Sequence, residues 1–71
     1  MKKVTIKQLQ VLEAIQYLID KNEISPTYRE IAELLKCDVR QVFEKVMLLE
    51  EKGYISTING KARTIRIIKK V

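Results

Sequence analysis

The chain has 71 residues, a formal net charge of +5 and 46% hydrophobic residues. That length suits one domain, residues 1–71, near the lower limit at which a single core can hold a fold without disulfides or metal. One cysteine, Cys37, excludes an intrachain disulfide, and the lack of histidine excludes the usual zinc ligand sets together with Ser-His-Asp and Cys-His catalysis.

The opening "MKKVTIKQLQ" carries lysines but no apolar segment or small-residue cleavage site, so no signal peptide is expected and a cytoplasmic location is the default. No apolar run approaches the ~20 residues of a membrane span. From Thr5 onward, "TIKQLQVLEAIQYLIDKN" sets Ile6, Leu9, Leu12, Ile15 and Ile19 at three- and four-residue steps, with Val11 and Leu18 widening the stripe. This spacing predicts an amphipathic first helix. Thr5 and Gln8 have the spacing of a capping box, in which the hydroxyl accepts one free backbone N–H and the amide oxygen another.

In "EISPTYREIAELLKC", Pro26 disfavours helix at Ser25, Thr27 is the expected cap and Glu30 its capping-box partner. A short second helix is predicted from Tyr28 to about Lys36, with Ile31, Leu34 and Leu35 inward and Ala32 small enough for another helix to approach; Glu23 to Ser25 reads as a short extended piece before it. Cys37 reads as a small buried hydrophobe, with redox sensing as the alternative. Asp38 with Gln41 forms a third capping-box pattern, and Val39, Val42, Val46 and Leu49 continue at helical spacing to Gly53, expected as the left-handed residue that ends the helix. A connection of about three residues between a short helix and a longer one is the helix-turn-helix arrangement.

After Gly53, strands are predicted over Tyr54 to Ile58 and Ala62 to Ile68, around the Asn59-Gly60 turn. In the second strand Ile65 and Ile67 alternate with Thr64 and Arg66, so the isoleucines should face the core. A two-residue loop would set Ile55 on the opposite face, whereas an odd loop, such as one closed by a glycine bulge at Gly60, brings Ile55, Ile65 and Ile67 together. The odd loop is expected. The fold class is therefore mainly α with a β-hairpin, three helices and a small antiparallel sheet.

Charge is unevenly distributed along these elements. Residues 1–12 and 53–71 are basic without any acidic residue, residues 13–35 are net acidic, and residues 36–52 are balanced. Basic clusters favour a polyanionic partner through counterion release, although a charge excess also serves solubility. The only glycines, Gly53 and Gly60, supply no phosphate-binding loop, and the Glu50-Glu51 pair reads as a solvated face, so no enzyme activity, cofactor, metal or small-molecule ligand is expected.

The third helix would turn Arg40, Gln41, Glu44, Lys45 and Leu48 outward, among them the side-chain types that pair with guanine, adenine and cytosine edges. Phe43 and Met47 border its apolar face, as core edge against the first helix or hairpin, or with Phe43 on a thymine methyl. Leu48 could join a dimer patch. Thr27, Tyr28 and Arg29 open the second helix, where free N–H groups and the dipole suit a phosphate. Lys61 and Arg63 flank the hairpin turn and are best placed to reach a phosphate backbone. Arg66, Lys69 and Lys70 are more doubtful contributors, since charge on an edge strand also prevents edge-to-edge pairing.

The runs "SPTYREIAELL", "LLEEKGYI" and "NGKARTIRI", with the opening Lys7 to Ile15, resemble the N-terminal DNA-binding domain of LexA-type repressors, a winged helix-turn-helix. The resemblance implies a transcription regulator on double-stranded DNA. Its third helix would lie in the major groove with Asp38, Arg40, Gln41, Phe43 and Glu44 on bases, and its hairpin would be a wing contacting DNA through Asn59, Gly60 and Lys61. The turn before the third helix is about one residue shorter than in that family and the outward residues differ, so the family's operator is not carried over. The self-cleaving protease domain that follows in the family has no counterpart in this sequence, which fits an excised domain or a small stand-alone regulator without self-cleavage. A homodimer on a two-fold site would strengthen so small a half-site reader. The alternative function is a winged-helix protein-interaction module, supported by the acidic Glu44, Glu50 and Glu51.

Overall fold

The computed structural model describes residues 3–58 and 60–69. In chain order it contains α1 (Ile6–Asn22), α2 (Tyr28–Leu35), α3 (Val39–Glu51), β1 (Ile55–Ser56) and β2 (Arg66–Ile67). Three helices followed by a two-stranded antiparallel sheet make the winged helix-turn-helix expected from the sequence. Among the described residues, no helix is long and apolar enough to cross a membrane.

Local chemistry sets the helix ends. Thr5 and Thr27 both close capping boxes: each hydroxyl accepts the N–H three residues on at 3.1 Å, while Gln8 Oε1 accepts Thr5 N–H at 3.2 Å and Glu30 Oε1 accepts Thr27 N–H at 2.9 Å. The third expected box does not form. Asp38 instead accepts Arg40 N–H at 2.8 Å, and Gln41 N–H, the donor its carboxylate was expected to cap, goes to Asp38 O at 3.0 Å in a tight first turn. At the other end of α3, Tyr54 N–H donates to Leu49 O and Gly53 N–H to Glu50 O, with Gly53 at φ +84°. This is the Schellman stop that the glycine announced. Glu23 and Lys36 end α1 and α2 in the same left-handed region, so Glu23 is a helix cap rather than the start of an extended piece.

The helices converge on Val11, Leu12, Ala14 and Ile15 of α1, Ile31 and Ala32 of α2, and Val42, Val46 and Leu49 of α3, closed by Ile55 and Ile65. Leu18, Ile19, Leu35 and Cys37 pack partly against this cluster. Three residues expected inside are exposed: Ile6 at 77%, Leu34 at 42% and Val39 at 42%. Ile6 and Val39 are first residues of their helices, and Leu34 falls about 100° from the middle of the buried arc of α2 at 3.6 residues per turn. The buried arc of α1 instead runs through Gln8, Val11, Leu12 and Ile15.

Among the described residues Gln8 is the one polar side chain in this interior, and its position follows from two bonds. Its Oε1 caps Thr5 and also accepts Lys52 Nζ at 2.6 Å, while the same ammonium reaches Lys3 O at 2.6 Å. Lys52, just beyond α3, thus ties the end of that helix to the start of α1.

The hairpin register pairs Ile55 with Ile67 and Ser56 with Arg66. Residues 57–65 then make an odd loop, and Ile55, Ile65 and Ile67 share the inner side as expected. The strands are much shorter than expected, for a reason the hydrogen bonds give. Thr57 N–H donates to Glu50 Oε2, Ile58 N–H to Thr64 Oγ1 and Ile65 N–H to Ser25 Oγ, so donors that would extend the ladder are taken by side chains. The bend is made by Gly60 at φ +78° and also by Arg63 at φ +58°, not by a glycine bulge alone.

Replacing Lys52 with Met keeps the stem but removes both bonds of the ammonium, and hydrogen bonds to charged groups have the magnitude that makes this visible. Urea denaturation should show a loss of roughly 1–2 kcal/mol with an unchanged m-value; an unaltered midpoint would mean the ammonium contributes nothing to holding α1 on α3.

Candidate nucleic-acid interface

The turn of α2 into α3 spans only Lys36 to Asp38. Two features make so sharp a connection hold. Lys36 adopts φ +56°, and its N–H and that of Cys37 return to Glu33 O and Ala32 O. Asp38 then opens α3 at once.

With Val42, Val46 and Leu49 turned inward, α3 presents Arg40, Gln41 and Glu44 at the surface, Leu48 further along and Lys45 half-buried. Phe43 is 47% exposed. It packs against Tyr28 of α2, ring centroids 5.7 Å apart and edge to face, rather than against α1 or the hairpin. Tyr28, Val39, Arg40, Phe43 and Glu44 line one shallow recess on this side. Tyr28 is itself half-buried, and burial raises the pKa of its phenol; the Glu50 carboxylate acts in the same direction and the Thr57 hydroxyl against it.

Thr27 and Tyr28, at the start of α2, line one cleft with Phe43, and Arg29 beside them in sequence is exposed. An α-helix provides no internal acceptor for the N–H groups of its first residues. The Thr27–Glu30 box occupies two donors, those of Thr27 and Glu30.

A cleft of about 260 Å³ lies between Tyr28 and Phe43 on one wall and the hairpin on the other, where Gly60 and Lys61 are exposed. Asn59, also expected at the hairpin tip, lies outside the described residues, as does Lys70. Arg63 faces inward along the chain. Its Nη1 and Nη2 donate to Glu30 Oε1 and Oε2 at 3.1 and 3.2 Å, and Nη1 also donates to Ser25 O at 3.2 Å. Together with the Ile65 N–H on Ser25 Oγ, at 2.9 Å, these bonds fasten the hairpin to the segment leading into α2. Sequence reasoning missed this brace because its partners are 33 to 40 positions apart and no local pattern joins them.

The other hairpin cations divide similarly. Lys69 Nζ lies 4.6 Å from the centre of the Tyr54 ring, while Lys61 and Arg66 are exposed. Glu50, one of the acidic groups that favoured a protein partner, is engaged by the N–H and hydroxyl of Thr57.

Glu30 is held below the usual carboxylate range, first by the Thr27 N–H and then by Arg63. A depressed folded pKa means that this carboxylate adds stability at pH values above its unfolded pKa and that the contribution is lost as pH falls through the folded one. Glu30→Gln can keep the capping box while removing the charge. The variant should be less stable than the parent at about pH 7, and the gap should close as pH drops below about 4. Urea midpoints across that range measure it, and parallel curves would refute the assignment.

Comparison with known proteins agrees with this geometry. A family model described as "LexA DNA binding domain" matches residues 1–64. A LexA repressor of Thermotoga neapolitana is 42% identical over all 71 residues of this chain, which cover 36% of that protein. LexA repressors of Thermotoga maritima and Thermosipho melanesiensis are 41% and 40% identical, over 71 and 70 residues, with 36% and 35% of their lengths covered. The chain spans about a third of the length of these relatives.

Proposed function

The chain belongs to the LexA DNA-binding domain family, and from that membership we propose that it is a sequence-specific, double-stranded DNA-binding transcription regulator of repressor type. The observation that carries the reading is the exposed ridge of α3 beside the Tyr28–Phe43 aromatic pair and a hairpin bearing the exposed Lys61 at its tip. An α-helix of about 10–12 Å diameter fits a major groove about 12 Å wide.

In this arrangement Arg40, Gln41 and Glu44 meet base edges, assisted by Phe43 against a thymine methyl and by Asp38 at the helix start. Lys45 flanks them. The start of α2, with Thr27, Tyr28 and Arg29, lies along a phosphate. Glu30 would repel that phosphate if it stood alone, and the guanidinium of Arg63 neutralises it. Arg63 thereby serves the interface by bracing the hairpin and cancelling a charge, while Asn59, Gly60 and Lys61 make the approach to the flanking backbone.

Two copies on a two-fold site would double a contact that one helix makes weakly. The proposed setting is cytoplasmic, where the DNA is, and the proposed role is binding without catalysis.

Selection of bound sequences from a random duplex pool tests the reading directly, and should return a conserved half-site, repeated with two-fold symmetry if two copies bind. Arg40→Ala or Gln41→Ala should lower discrimination between selected and random duplex by ~1–3 kcal/mol with non-specific binding nearly kept. Lys61→Ala should flatten the log-log salt dependence of binding by about 0.9. A pool that enriches nothing, with no shift of random duplex, would remove the DNA reading.

A further inference from the structure

We infer that α1 carries a second phosphate-binding site, formed by Lys7 and Gln10 with Lys45 of α3, on the side of α3 away from the hairpin; the inference rests on the DNA-binding reading above. A cleft of about 250 Å³ separates the first turns of α1 from the first turns of α3. Lys7 and Gln10 stand on one wall, Gln41 and Lys45 on the other, and Cys37 of the tight turn at one end. No carboxylate lines it.

The position follows from helical geometry. At about 100° per residue, Arg40 and Glu44 form the outward ridge of α3. Phe43 falls on the flank beside Tyr28 and the hairpin, and Gln41 and Lys45, one turn apart, fall on the opposite flank beside α1. A helix seated in a major groove has a sugar-phosphate backbone on each side. The first flank is served by the start of α2 and by Lys61. The second is served by Lys7, Gln10 and Lys45.

These cations are also available in a way that others are not. Lys52 is bonded to Gln8 and Lys3, Arg63 to Glu30 and Ser25, and Lys21 and Lys69 lie over tyrosine rings. Among the described residues, Lys7 and Lys45 make no ion pair and no side-chain hydrogen bond. Lys7 is exposed, so its ammonium is hydrated and mobile until a phosphate takes it; Gln10, also exposed, can donate its amide N–H to the same oxygens.

The test is the salt dependence of binding to a selected duplex and to a random one, for the parent chain, Lys7→Ala, Lys61→Ala and Lys21→Ala. Lys21 lies at the far end of α1, so its variant carries the same change in net charge away from the site. Lys7→Ala should reduce the magnitude of the slope by about 0.9, as Lys61→Ala does, so that the affinity lost between roughly 50 and 200 mM salt is about 3-fold smaller. The loss should be equal on both duplexes, and Lys21→Ala should keep the parent slope. If Lys61→Ala flattens the slope and Lys7→Ala does not, the α1 site is wrong and the DNA reading stands. If Lys7→Ala and Lys21→Ala change it equally, the effect is net charge alone and the site is again wrong. A parent chain that binds neither duplex overturns the DNA reading and this inference with it. Unchanged urea midpoints for the variants show that each is folded.

Discussion

The carboxylate of Glu30 joins the two halves of this fold. One of its oxygens closes the capping box on Thr27 and so fixes where α2 begins, and both oxygens accept the guanidinium of Arg63 from the hairpin. A two-stranded ribbon with two residues per strand cannot hold itself together in water. It is kept in place by what its ends and middle attach to: Ile55 and Ile65 in the core, Ile65 N–H on Ser25, Thr57 on Glu50, and Arg63 on Glu30. The start of α2 and the hairpin are consequently joined on either side of the cleft between them.

That coupling also takes up one of the chain's many basic residues inside the fold. Arg63, Lys52, Lys21 and Lys69 have in-chain partners, and among the other described cations several stand around α3: Arg29 at the start of α2, Lys61 at the hairpin tip, Arg40 on the ridge, and Lys7 with Lys45 on the far flank, while Lys36 and Arg66 are exposed elsewhere. A uniform positive surface would hold any polyanion in any orientation. Cations on both flanks of one protruding helix favour a duplex lying in a single direction, because phosphate contacts set register while base edges carry the sequence.

The helices were legible in the sequence almost to the residue, and so was the parity of the hairpin. Thr5 with Gln8, Thr27 with Glu30, and Gly53 each act within a few positions of where they stand, and the resulting boundaries agree with the structure. The inward positions Val42, Val46 and Leu49 of α3 were legible as well, because a periodic apolar pattern reports a buried face wherever the partner lies, whereas Val39 is exposed, Lys45 is half-buried and Phe43 meets Tyr28. Errors gathered at the ends. Ile6 and Val39 fit the stripe but open their helices, Leu34 lies at the rim of its arc, and the Asp38 carboxylate caps Arg40 rather than Gln41, whose N–H the main chain takes in a tight turn.

Sequence alone therefore determined the three helices, the capping boxes of the first two, the glycine stop of the third, the tight turn and the basic hairpin, all consequences of interactions spanning a few residues. Only the tertiary structure decided that Arg63 would be a brace rather than a free charge, that Gln8 would be buried under Lys52, that Ser25 would stop the ladder at Ile65, and that Lys7 would stand beside Lys45. These pairings join positions between 33 and 44 residues apart where hydrogen bonds form them. No local preference encodes them, because their energies exist only after the helices have packed and brought the groups within bonding distance.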